Sequence, residues 1–153
     1  MKTILISILL VVLSFSAYSQ NLEFDNGLYF KKGMLYTGKH VEYFDNGKIS
    51  LEFNISNGKE HGSFDFFFSS GNQKEHREYN NGKKTGIWIT WEENNVKVAE
   101  AAYKDDIKDG DWFVWDSKGQ LLYEMHYVMG NKTGIWRQWD ESGKLIMERD
   151  FKK

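Results

Sequence analysis

Cysteine is absent from this chain, and so is proline. Without thiols there is no disulfide to staple the fold, no cysteine nucleophile and no cysteine-ligated metal. Such a chain must hold itself together by packing and backbone pairing. Histidine is scarce, and His40, His61, His76 and His126 show no HExxH or comparable ligand spacing. His40 sits among aromatic columns, His61 in a connecting turn, and His76 in a column otherwise filled by glutamate. No GxSxG elbow, P-loop or GxGxxG is present. Excess positive charge is missing too: 20 Lys and Arg stand against 22 Asp and Glu, a formal net charge of −2. A nucleic-acid binder wants a basic face. The sequence therefore predicts no catalytic residues, no cofactor, no metal site and no nucleic-acid partner.

Long hydrophobic runs are also lacking, with one exception at the start. Met1-Lys2-Thr3 carries one positive charge, Ile4 to Leu13 is apolar apart from Ser7, and Ser14-Phe15-Ser16-Ala17-Tyr18-Ser19 follows. A basic start, a short apolar core and small residues before a cut describe a secretory signal peptide. The run is shorter than the ~20 residues of a spanning helix. Residues 1–19 are thus expected to be removed between Ser19 and Gln20, exporting the chain to a periplasmic or extracellular compartment. Loss of Lys2 leaves 19 basic residues against 22 acidic ones, a charge of −3.

Aromatic residues, by contrast, make up 16% of the chain and include six tryptophans, a composition that suits strands. They are not scattered. "KTGIWITW" at 84–91 and "KTGIWRQW" at 132–139 are nearly one octet spelled twice. Their glycines belong to a series, Gly38, Gly62, Gly86, Gly110 and Gly134, spaced 24 residues apart without a slip. A fixed period of this length marks a repeat architecture. Two residues after each glycine stand His40, Phe64, Trp88, Trp112 and Trp136; five after stand Tyr43, Phe67, Trp91, Trp115 and Trp139. Seventeen after stand Ile55, Tyr79, Tyr103, Tyr127 and Phe151. All six tryptophans fall in two columns. Residues 37–153 read as five repeats, and residues 20–36 as a degenerate leading half-repeat or cap, since terminal repeats are often atypical.

Each period holds two turn signals, such as Asp45-Asn46-Gly47 and Ser56-Asn57-Gly58, separated by seven or eight strand-forming residues. Two strands per period make one β-hairpin per repeat. In the second strand, Ile49, Leu51, Phe53 and Ile55 alternate with Ser50, Glu52 and Asn54, the pattern of a half-buried strand. Gln73, Glu75 and Arg77 take the apolar positions in the next repeat, which predicts a discontinuous apolar face. In the first strand the two aromatic columns are three residues apart. Either a bulge realigns them or the sheet carries aromatics on both faces. Asn95 replaces a turn glycine in the third repeat and Asp105-Asp106-Ile107 replaces Asn-Gly-Lys, so a local irregularity is expected there.

The unit Gly-x-Trp-x-x-Trp, acidic turn, Gly-Lys, alternating strand, Asn-Gly-Lys-Lys resembles the MORN repeat in its longer bacterial variant. The likeness covers about residues 37–153. It implies an all-β fold, an elongated single-layer antiparallel sheet of tandem hairpins. It also implies a non-catalytic role in protein–protein or membrane association; some bacterial proteins of this repeat type carry an antitoxin label. The expected function is an exported repeat scaffold whose partner is a protein or a cell-envelope component. Membrane-surface attachment is the less favoured reading, because the net charge is negative although Lys59, Lys83, Lys84, Lys108 and Lys132 follow the repeat. The candidate binding residues are Trp91, Trp115 and Trp139, with Trp88, Trp112 and Trp136. A ladder formed by Glu52, Glu100, Glu124 and Glu148 reads as the solvated face of the sheet.

Overall fold

The computed structural model describes residues 22–152, so the expected signal segment lies outside the described residues. Among the described residues there is no helix. Three short strands, β1 (Glu23–Asp25), β2 (Leu28–Lys31) and β3 (Met34–Leu35), form a small antiparallel sheet. Ten more form one open sheet: β4 (Gly38–Tyr43), β5 (Ile49–Ser56), β6 (Lys59–Phe67), β7 (Gln73–Asn80), β8 (Lys83–Trp91), β9 (Lys97–Lys104), β10 (Ile107–Trp115), β11 (Leu121–Val128), β12 (Asn131–Trp139) and β13 (Leu145–Phe151). Their spatial order is their chain order, and every neighbouring pair is antiparallel. The all-β fold of successive hairpins expected from the repeat is the one observed.

The two turn signals build two different turns, each repeated in phase. In the wider one, Phe44 N–H donates to Lys48 O and Gly47 N–H to Phe44 O, at 2.8 and 2.9 Å. The same pair of bonds returns at Phe68, Glu92, Asp116 and Asp140. The tighter turn has two residues, both at positive φ: Asn57-Gly58 (48° and 76°), Asn81-Gly82 (50° and 82°), Asp105-Asp106 (49° and 69°) and Met129-Gly130 (48° and 81°). That is the mirror-image turn whose twist suits a hairpin.

The irregularity expected in the third repeat is absent. Asn95 takes φ 64° and donates to Glu92 O as its glycine counterparts do. Asp105 and Asp106 adopt the same left-handed pair as Asn-Gly, which short polar side chains tolerate. The Asp106 carboxylate accepts the Lys84 N–H at 2.9 Å, which helps to offset the strain.

Successive tight turns are also laced sideways. Gly58, Gly82, Asp106 and Gly130 each donate their N–H to a carbonyl 22 residues earlier: Tyr36, Glu60, Lys84 and Lys108, at 2.8–3.0 Å. The repeats are therefore joined at their turns as well as along their strands.

Close packing is concentrated at the N-terminal end. Phe53, Ile55 and Phe64 are buried, with Leu22, Tyr29, Tyr36, Leu51, Phe66 and Tyr79 against them. The small sheet supplies part of that cover: Tyr29 N–H donates to Gly58 O at 2.8 Å and the Leu35 side chain lies against Gly58. Beyond this cluster the buried hydrophobics are Ala102, Tyr127 and Trp136. Stability along the rest of the sheet must come from strand pairing and from rings stacked on one face.

Candidate interaction surface

The strand register sorts the tryptophans into two faces. Trp88, Trp112 and Trp136 stand opposite Ala101, Ala101 and Arg149 respectively on β9, β9 and β13. Their rings alternate with the tyrosine column in an unbroken series: Phe53, Phe64, Tyr79, Trp88, Tyr103, Trp112, Tyr127, Trp136 and Phe151, with neighbouring centroids 4.5–5.5 Å apart. Tyr29 of the small sheet joins it at Phe53, 5.5 Å away. Tilted contacts at these separations are the favourable geometry for aromatic pairs. Each indole also donates its Nε1–H to a backbone carbonyl ten residues earlier: Trp88 to Glu78, Trp112 to Ala102 and Trp136 to His126, at 3.0–3.1 Å. This column is the structural spine.

The discontinuity expected at the second repeat does not interrupt it. The Arg77 guanidinium lies over Phe66 and Trp88, 4.6 and 5.2 Å from their centroids, so its flat face covers the rings where an aliphatic side chain is missing.

The second column faces the other way. Trp115 contacts Phe113, two residues before it on the same strand, at 5.6 Å, and Lys97 Nζ lies 4.5 Å from the Trp115 centroid. Phe113 pairs with Glu100 and Glu124, so this is the face of the glutamate column. A one-residue bulge does occur beside this column in every repeat, with Ser50, Lys74, Val98, Leu122 and Ile146 as the extra residues. It does not bring the two tryptophan columns together. It turns the start of the second strand instead, so that Lys97 reaches both Trp115 and Glu100, the latter at 2.6 Å. Trp91 and Trp139 hold the same repeat position as Trp115 and share its face. Aromatics on both faces is thus the correct alternative.

The carboxylates of the glutamate column are ion-paired. Glu52 meets Lys39 at 2.9 Å, and Arg137 bridges Glu124 and Glu148 at 2.9 and 3.0 Å. His76, in the same column, hydrogen-bonds through Nδ1 to Asp65 at 2.7 Å and reaches Glu78 at 3.4 Å through Nε2. Partial burial works against the imidazolium, but the hydrogen bond and charge of Asp65, helped by Glu78, prevail and raise the His76 pKa. His126 meets Asp111 at 2.6 Å, while His40 rests on the Phe53 ring at 5.1 Å. Among the described residues, no three His, Asp or Glu side chains are grouped as metal ligands.

Three of the repeat lysines are committed to the spine. Lys84, Lys108 and Lys132 lie over Trp88, Trp112 and Trp136 at 4.9, 4.0 and 4.4 Å, and each also overhangs the next ring of the series. Sequence reading noticed these lysines as a charged edge and missed their packing. The signal was the four-residue step from each lysine to its tryptophan. At the tight-turn end, a cleft of about 160 Å³ is lined by Lys104, Asp105, Ile107, Asp109 and Met129.

Comparison with known families agrees with this geometry. The profile of the MORN repeat variant matches residues 36–57, 108–129 and 132–153. The starts of these matches are 72 and 24 residues apart, whole multiples of the 24-residue period. The intervening segments 60–81 and 84–105 form hairpins of the same register and turns. Comparison with curated proteins found no match. MORN repeat modules are generally binding scaffolds and typically non-catalytic. The chain carries the MORN repeat variant, detected in three copies across residues 36–153.

Proposed function

We propose that this protein is an exported, non-catalytic scaffold that binds a protein or a cell-envelope component through the face carrying Trp91, Trp115 and Trp139. The observation that supports this reading most is the division of labour between the two tryptophan columns. Trp88, Trp112 and Trp136 are used up by ring stacking and indole hydrogen bonds. The second column is outside that series and repeats along the sheet, partly buried to the same degree as Trp88 and Trp112 but without their ring stacking. Large amphipathic rings on a rigid surface are well suited to anchoring a partner. A lipid surface draws less support, because Lys84, Lys108 and Lys132 lie over rings instead of lining a free basic edge.

The test is a pull-down from envelope and extracellular fractions, comparing the native protein with a W91S/W115S/W139S variant whose strand content has been verified by circular dichroism. A partner retained by the native protein and lost by the folded variant is the expected result. A partner held equally by both, or none captured from either fraction, contradicts the reading.

A further inference from the structure

Four Asn-Gly dipeptides occur in the chain, at 26–27, 46–47, 57–58 and 81–82. Asn-Gly is the sequence most prone to closing on itself, because glycine leaves its own nitrogen unhindered. Whether it does so depends on that nitrogen. In three of the four, the glycine N–H is held by a backbone carbonyl: Gly47 by Phe44 at 2.9 Å, Gly58 by Tyr36 at 2.8 Å and Gly82 by Glu60 at 2.8 Å. The Gly27 N–H donates to no protein group among the described residues, and a Cβ built at Gly27 meets nothing within 4 Å.

The surroundings differ as well. Asn81 sits in a turn laced to the neighbouring repeat and Asn57 in one held by Tyr36 and Tyr29, both turns joining strands of the ten-stranded sheet. The Asn46 side chain is tied down by Ser69 O and Lys48 N–H. Asn26-Gly27 joins β1 to β2, a hairpin with three residue pairs whose first strand is exposed throughout. Opening it costs far less than opening the main sheet.

We infer that Asn26 is a site of spontaneous deamidation and isomerisation, selected by the fold over the three other Asn-Gly pairs. The Gly27 nitrogen attacks Asn26 Cγ, the Cγ–Nδ2 bond breaks, and ammonia leaves carrying the Gly27 amide proton. Water then opens the cyclic imide at either carbonyl, giving aspartate or isoaspartate. The Asp25 carboxylate, 2.9 Å from Asn26 Nδ2, is placed to hold the departing nitrogen. The isoaspartyl product lengthens the main chain inside a two-residue turn and adds a negative charge beside Asp25. It therefore loosens the hairpin that sets Tyr29 against Phe53 and Gly58.

The test is peptide mapping by mass spectrometry of the intact protein aged at mildly alkaline pH, with a parallel sample aged in denaturant. In the folded sample Asn26 should convert about tenfold or more faster than Asn46, Asn57 and Asn81, and in denaturant the four sites should converge. Gly27→Ala should slow conversion at Asn26 alone. Folded-state conversion at Asn46, Asn57 or Asn81 as fast as at Asn26 would overturn the inference, as would an Asn26 that stays intact while the denatured sample converts.

Discussion

Glycine carries two separate duties here, and single substitutions separate them. Gly110 has φ +115°, where L-residues rarely go, and a Cβ there would come 2.7 Å from the Ala102 Cβ. It belongs to the set Gly62, Gly86, Gly110 and Gly134, beside which the pairing of each hairpin with the next slips by two residues. Gly110→Ala should cost about 2–3 kcal/mol, combining backbone strain with that contact. Gly47 has φ +80° but open space around it, so Gly47→Ala should cost only about 1 kcal/mol. Denaturant unfolding of the two variants reads the difference. Equal losses would mean that backbone conformation alone, and not the close approach to Ala102, sets the requirement.

The same scale holds a pH dependence. The His76 pKa is raised in the folded protein, so the contribution of its pairing with Asp65 and Glu78 is fully present below the ordinary histidine value of about 6.5. It is lost as pH rises through the folded value. His76→Gln should therefore flatten the stability profile on the neutral side, as measured by melting temperature against pH. A profile unchanged by the substitution would show that the pairing carries no stability.

At the level of the element, the lysine laid across two rings is the unit that each later repeat adds. Lys108 Nζ is 4.0 Å from the Trp112 centroid and 4.8 Å from that of Tyr127. Lys108→Met keeps the aliphatic stem and removes the charge, and should cost about 0.5–1 kcal/mol. The small N-terminal sheet has its own signature. Burial of Tyr29, with the nearby Glu60 charge, pushes its pKa up to about 12. A phenol held neutral by the fold favours the folded state until the solution passes its ordinary value near 10. That support is lost as pH rises from about 10 to about 12. A Tyr29→Phe variant should consequently lose less stability than the native protein across that window. These elements show how far the sequence could be read. The period, the turn positions and the hairpins followed from glycine and asparagine spacing, because turn chemistry is local. The face of each tryptophan did not, because a bulge is set by pairing between strands. The Asp105-Asp106 turn was misjudged since its regularity depends on the Lys84 N–H, 22 residues away.

At the scale of the molecule, the ten-stranded sheet keeps its rings in order on one face and carries a second set on the other. Legibility was uneven at this scale too. The two tryptophan columns were plain in the sequence, but their different duties were not, since both are aromatic, in phase and equally regular. Only the register separates a ring that stacks between two tyrosines from one that lies beside glutamates and lysines. The direct measurement is the unfolding free energy of Trp112→Ala against Trp115→Ala, each confirmed to be two-state. Trp112 loses two ring contacts, a lysine contact and an indole hydrogen bond, so its removal should cost about 3–5 kcal/mol. Trp115 loses Phe113 and Lys97 contacts, and its removal should cost about 1–2 kcal/mol. Equal losses, or a greater loss at Trp115, would contradict the assignment of the Trp88, Trp112 and Trp136 column alone to the spine.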